Sequence, residues 1–386
     1  MMKITDSITY VGVNDHEIDL FEGQYIVPNG MAYNSYVIDD ERVAVLDSVD
    51  ARFGGEWLSN IRSVLGDRPA DYLIVQHMEP DHSASITAFM EAYPHATVVA
   101  TQKAFAMMTQ FFGTDFTDRR IVAAEGTTLS LGERELKFMT APMVHWPEVM
   151  MTWDEADGVF FSADAFGKFG ALDAEEDWAC EARRYYFGIV GKFGAAVQTV
   201  MRKLAGYEIK TICPLHGPVL TENLGYYLDK YQTWSSYSVE DEGIVIACAS
   251  IYGNTMKAAQ LLKEKLLAYG CPKVTLTDLA RDDMAEAVED AFRYGTLVLA
   301  ASSYNGGVFP FMQHFIEHLT ERNYQKRRIA LVENGTWAPT AAKTMMKLLE
   351  GGKNLTFAEN MVTIRSALNA QSEAALDALA KELCGK

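Results

Sequence analysis

The chain is predicted to fold as two domains of different class: an α+β sandwich over residues 1–240, then an α/β, doubly wound parallel sheet over residues 241–386. Three observations lead there. Short β-branched and aromatic runs fill the first part with helices only interspersed. Beyond Tyr237-Ser-Val-Glu-Asp-Glu-Gly243, apolar strands and helices alternate regularly. Metal-capable side chains sit just past strand ends in the first part, whereas Gly- and Ser-containing loops follow strands in the second.

In the first part the strand-like runs are Ile8–Val13, Ser35–Ile38, Val43–Asp47, Tyr72–Gln76, Thr97–Ala100 and Lys137–Thr140. Amphipathic helical patterns cover Ser83–Tyr93 and Thr101–Phe112. In the second part the strands Ile244–Ala249, Val274–Leu279, Leu297–Ala301, Ile329–Glu333 and Met361–Ile364 are each followed by a helical pattern. Right-handed crossovers would place those helices on both faces of a parallel sheet.

With 386 residues, 49% of them hydrophobic, the chain can bury two sizeable cores. No apolar run reaches the roughly 20 residues of a membrane span, so no membrane partner is expected. The N-terminus lacks the pattern of a secretory signal. A net charge of −18 repels phosphate backbones and argues against nucleic acid. The five cysteines contain no C-x-x-C pair, which excludes a tetrathiolate site and fits a reduced, cytoplasmic setting.

The strongest motif is His77-Met-Glu79-Pro-Asp81-His82, directly after an apolar strand. Pro80 biases Glu79 toward extended geometry, so His77 and Glu79 should project from one face. Asp81 and His82 are adjacent and must diverge unless the chain turns to serve a second ion. Ser83 could cap the following helix and set that turn. Further ligand candidates are His145, Asp164 and His216, each past an apolar strand. Taken singly, His145 or His216 would more often be a structural histidine; the six-residue cluster reverses those odds. His16, His95, His314 and His318 read as surface or helix residues.

In the second part, Ser250-Ile-Tyr252-Gly253-Asn254-Thr255 leads from a strand into a helix, where backbone N–H groups and hydroxyls form an anion site. No P-loop lysine follows and the dinucleotide glycine spacing is absent, so a monophosphate fits better than a triphosphate or dinucleotide. Two more loops occupy the same predicted edge: Ser302-Ser303-Tyr304-Asn305-Gly306-Gly307 and Asn334-Gly335-Thr336-Trp337-Ala338. Tyr304 or Trp337 could stack on a flat ring.

These residues resemble two known patterns. The first part is similar to the metallo-β-lactamase fold, an αββα sandwich, with Glu79 in place of that fold's middle motif histidine. An added carboxylate makes a harder, more anionic site that suits iron. The second part resembles flavodoxin and its FMN phosphate loop. Together they look like a flavodiiron (A-type) flavoprotein, and the resemblance implies two iron ions and FMN. It implies that His77, Glu79 and His145 hold one iron, that Asp81, His82 and His216 hold the other, and that Asp164 bridges. Asp47 would orient a ligand, or else serve as a plain turn residue.

The implied activity is reduction of O2 to water, of NO to N2O, or both, in a head-to-tail homodimer or a dimer of dimers. With no rubredoxin module in the chain, a separate rubredoxin is the expected donor. The sequence departs from the pattern at Phe21-Glu22-Gly23, where several relatives carry F-H-G. Glu22 and Trp146 become candidate pocket residues, while Tyr33 reads as packing. A zinc-dependent hydrolase with a flavodoxin-like module and a non-catalytic FMN carrier are the alternatives.

Overall fold

The computed structural model describes residues 2–386, which form two compact units dividing between Gln232 and Thr233. In the first unit, one sheet has six strands in sequential order. They are β1 (Ile8–Tyr10), β2 (Tyr36–Ile38), β3 (Ala44–Leu46), β4 (Tyr72–Ile74), β5 (Thr97–Thr101) and β6 (Arg120–Ala123). β1 to β3 pair antiparallel and β3 to β6 parallel. A second sheet contains β7 (Thr128–Ser130), β8 (Glu135–Thr140), β9 (Met150–Asp154), β10 (Val159–Phe161) and β11 (Thr211–Cys213), in that order.

Strand residues two apart share a face, and here that alternation joins the sheets. Tyr36, Ile38, Leu46 and Ile74 from the first sheet meet Leu136, Phe138, Val159 and Phe161 from the second in one buried cluster. This is the predicted sandwich. The helix Gln102–Phe112 begins where the sequence suggested, with the Thr101 hydroxyl accepting from Ala104 N at 3.2 Å.

The Ser83 expectation is corrected. Pro80–Ser83 is itself a short helical turn, with Pro80 at its start and Glu79 extended before it (φ −59°, ψ 140°). Ser83 Oγ donates to the Met78 carbonyl at 2.8 Å instead of capping, and the next helix runs over Ile86–Ala92. The hydroxyl is spent on closing the motif loop.

In the second unit, β12 (Asp241–Ala249), β13 (Val274–Asp278), β14 (Tyr294–Tyr304), β15 (Arg328–Asn334) and β16 (Val362–Ile364) pair in parallel. Their spatial order is β13-β12-β14-β15, with β16 beside β15. That is the 2-1-3-4-5 winding of flavodoxin-like sheets. Ile244, Ile246, Cys248, Val298, Ala300 and Val332 pack against Ala258, Leu262 and Leu266 of the helix Asn254–Ala268. The same cluster includes Leu376 and Leu379 of the C-terminal helix Ala370–Leu383, whose start is closed by a capping box between Asn369 and Ser372.

Candidate metal centre and cofactor cleft

Every candidate ligand of the first unit lies past the carboxyl end of a strand or in the β8–β9 connection. Asp47 follows β3, His77 to His82 follow β4, His145 lies between β8 and β9, Asp164 follows β10 and His216 follows β11. The fold therefore delivers the seven candidate ligands, with Asp47 beside them, to one rim of the sandwich.

They form two clusters. In one, Glu79 Oε2 lies 3.3 Å from His77 Nε2 and 3.0 Å from His145 Nε2. Asp164 Oδ2 is 3.4 Å from His77 Nε2 and 3.3 Å from His145 Nε2. In the other, Asp81 Oδ2 is 3.3 Å from both His82 Nε2 and His216 Nε2. Asp164 Oδ1 turns to this side, 3.4 Å from His82 Nε2 and 3.8 Å from His216 Nε2. Ligand bonds of about 2.1 Å separate neighbouring donors by roughly 3 to 3.5 Å, so these spacings suit one ion per cluster.

Two further observations test whether metal ions fit. Both carboxylate oxygens of Asp81 and of Asp164 are buried without a hydrogen-bond partner. Buried unpaired carboxylates are costly unless a cation compensates them. The ring nitrogens feel the same field. Burial opposes protonation of His145, yet Asp164 and Glu79 outweigh it and push the imidazole up to about 9. Burial likewise opposes ionisation of Asp164, but the surrounding histidines hold it well below the usual carboxylate range. The pocket demands positive charge, which metal ions supply.

Neighbouring groups orient the ligands. His216 Nδ1 donates to the Ala32 carbonyl at 2.7 Å, leaving Nε2 to face the centre. Buried Asp47, in a left-handed conformation (φ 55°), accepts from Gln76 N at 2.7 Å, Gln76 Nε2 at 3.0 Å and His77 N at 3.3 Å. It thus holds the strand end that carries the motif. Burial pushes its carboxyl up to about 6, against the pull of His82 and the Gln76 donors.

Of the pocket candidates, Trp146 packs edge-on to His77 (ring centroids 5.2 Å) and lies 6.0 Å from His145. Glu22 occupies the turn of the hairpin joining Leu20–Phe21 to Tyr25–Ile26, where Glu22 and Gly23 both have positive φ. Partial enclosure and the neighbouring Glu79 carboxylate push the Glu22 carboxyl up to about 7, placing it beside the first cluster. Tyr33 donates to Asp15 at 3.1 Å, and its ring lies 6.1 Å from that of His216. Phe21 and Tyr185 also pack on His216, at 5.4 and 5.5 Å. Tyr185 and Glu148 were not legible as site residues in the sequence, because the tertiary fold alone brings them to the centre.

In the second unit a cleft of about 410 Å³ lies at the carboxyl ends of β12, β14 and β15. Ser250, Tyr252, Asn254, Thr255, Ser302, Ser303, Tyr304, Asn305, Asn334, Gly335, Thr336 and Trp337 line it, as expected from the three loops. Gly253, Gly306 and Gly307 are not among its lining residues and shape the loops instead. Gly253 takes the left-handed conformation (φ 88°) that opens the helix, and Ser250 Oγ accepts its N–H at 3.1 Å. Ile251 and Ala338, within the same loops, also line it, whereas Ser366 was missed. Ser366 arrives on a fourth loop, its N–H donating to Asn334 Oδ1 at 3.1 Å.

FMN fits this cleft on two grounds. No lysine or arginine lines it, so a phosphate there would rest on hydroxyls and the helix N-terminus. Tyr252 and Trp337 are 94% and 87% exposed, flat rings held at its rim without cover.

Residues 31–217 match the family model described as ODP family beta lactamase. Over 94% of this chain and 93% of the relative, the sequence is 29% identical to a nitric oxide reductase of Moorella thermoacetica. The rubredoxin oxygen:oxidoreductase of Desulfovibrio gigas superposes with a TM-score of 0.91 at 25% identity, covering 100% of this chain and 98% of that one. The flavodiiron protein of Giardia intestinalis has the same fold, with a TM-score of 0.91 at 24% identity over 99% and 96% of the two chains.

A β-lactamase-like sandwich carried on one chain with a flavodoxin-like sheet is the architecture of a metalloflavoprotein. Within that class, the chain is similar over nearly its whole length to proteins named nitric oxide reductase and rubredoxin oxygen:oxidoreductase, and it shares the fold of one named flavodiiron protein.

Proposed function

We propose that this protein is an oxidoreductase that reduces O2 to water, NO to N2O, or both, at a di-iron centre fed with electrons through FMN. The observation that carries the reading is Asp164, whose two carboxylate oxygens face one histidine–carboxylate cluster each. His77, Glu79 and His145 would hold one iron, and Asp81, His82 and His216 the other, with Asp164 between them. The loops at Ser250–Thr255, Ser302–Asn305 and Asn334–Trp337 would hold FMN. When bound, the two irons and the flavin supply the one- and two-electron redox chemistry that multi-electron reduction of a small diatomic molecule needs.

The chain's own side chains bind, orient and protonate. Asp47 and the Ala32 carbonyl fix where His77 and His216 present their donor atoms. Tyr185, fully buried, is pushed well above its ordinary value by burial and by Asp164, so its hydroxyl keeps its proton beside the centre. Glu22 brings a carboxyl to the mouth of the first cluster, beside Glu79 and His145.

The related enzymes are named for nitric oxide and for rubredoxin with oxygen. A separate rubredoxin is accordingly the proposed donor, and a head-to-tail homodimer the proposed assembly. Among the described residues no helix is long and apolar enough to cross a membrane, and a cytoplasmic location accords with five free cysteines. The test is an anaerobic kinetic assay of the reduced, iron- and FMN-loaded protein with each gas in turn. Consumption of neither gas by fully loaded protein would overturn the proposal.

A further inference from the structure

Glu148 is a buried carboxylate whose placement the ligand set does not explain. It follows His145 by three residues and is 1% exposed. Its Oε1 accepts the Met78 backbone N–H at 2.9 Å and lies 2.8 Å from His77 Nδ1. Its backbone carbonyl accepts the Thr101 hydroxyl at 2.9 Å, tying the β8–β9 connection to the end of β5. Oε2 is buried with no hydrogen-bond partner. His77 is its only ion-pair partner among the described residues, so no lysine or arginine neutralises it.

An ionised carboxylate can only accept, so the proton of that contact belongs to His77 Nδ1. A neutral imidazole protonated there carries its lone pair on Nε2, the atom facing Glu79 and Asp164. A buried carboxylate without a nearby cation is unfavourable. An ion held at His77 Nε2 would supply the compensating positive charge on the far side of the imidazole.

We propose that Glu148 is a positioning residue for the iron at His77, Glu79 and His145. It sets the tautomer and ring orientation of His77, and its negative charge makes that donor more basic. This rests on the di-iron reading given above. A purely structural role, holding Met78 N–H alone, would leave the electronic properties of the iron pair unchanged.

The experiment compares the FMN-loaded wild-type chain with Glu148→Ala and Glu148→Gln. Each is stripped of iron and titrated anaerobically with ferrous iron against a chromophoric chelator, and its iron midpoint potentials are measured by redox titration. FMN content and thermal melting of the iron-free proteins establish folding. Wild type should take up two irons per chain. Glu148→Ala should bind one of the two about 10- to 100-fold more weakly, the range typical of lost outer partners of a ligating histidine.

Glu148→Gln can still accept the Nδ1 proton and should retain both irons. Having lost the charge, it should show a more positive midpoint potential. Wild-type affinity for both irons in Glu148→Ala, or an unchanged potential in Glu148→Gln, would overturn the proposed role. Failure of wild type itself to take up two irons would overturn the di-iron reading instead, and this inference with it.

Discussion

His82 Nε2 and His216 Nε2 lie 3.0 Å apart, two ring nitrogens aimed at the same point. Because His216 Nδ1 faces the Ala32 carbonyl, the neutral ring keeps its proton there and presents a lone pair at Nε2. Two such nitrogens beside Asp81 would make half of the proposed metal site, and Asp164 lies between that half and the other.

Asp164→Ala removes the carboxylate that, among the described residues, lies between both clusters. We expect iron content to fall below two per chain and turnover of either gas to drop below about 1% of wild type, a larger effect than loss of an outer partner. FMN content should be unchanged, because the flavin cleft is built from other loops. Metal analysis and flavin absorbance check both statements.

Asp47→Ala strands the backbone donors of the buried Gln76 and His77. The iron-free protein should lose about 1 to 3 kcal/mol in urea unfolding. Asp47→Asn, which keeps an acceptor oxygen, should lose less.

Trp337→Ala should weaken FMN binding by about 2- to 10-fold, the equivalent of roughly 0.5 to 1.5 kcal/mol of ring contact. Flavin fluorescence titration measures it, and iron content should not respond.

The C-terminal helix carries a pH-dependent clamp. Glu382 accepts Glu359 N and Asn360 N, both at 2.9 Å, and Arg328 Nη2 at 2.6 Å. Burial works against its ionisation, but these donors bring the carboxyl down to about 2. A depressed carboxylate stabilises the fold above its unfolded value of about 4.3, and loses that contribution as pH falls through about 2. Glu382→Gln should therefore cost about 1 to 2 kcal/mol at pH 7. The difference from wild type should shrink between about pH 4.3 and pH 2 in urea titrations.

How legible this was in the sequence depended on the range of each contact. His77, Glu79, Asp81 and His82 could be read because they share one loop, and the flavin loops because each follows a strong apolar strand. Glu148 could not, since its partner His77 lies 71 positions away in the chain. Ser366 was hidden for the same reason, reaching the cleft only through Asn334. Ser83 misled because an N-cap and a loop-closing bond to Met78 use the same hydroxyl, and tertiary packing decides between them.

Whether a di-iron pair and a flavin work together on a gas is decided by metal analysis followed by anaerobic turnover of the purified protein with O2 and with NO. We expect two irons and one FMN per chain, with rapid consumption of at least one gas that is abolished in Asp164→Ala. A full complement of zinc with hydrolase activity and no gas consumption would contradict that expectation.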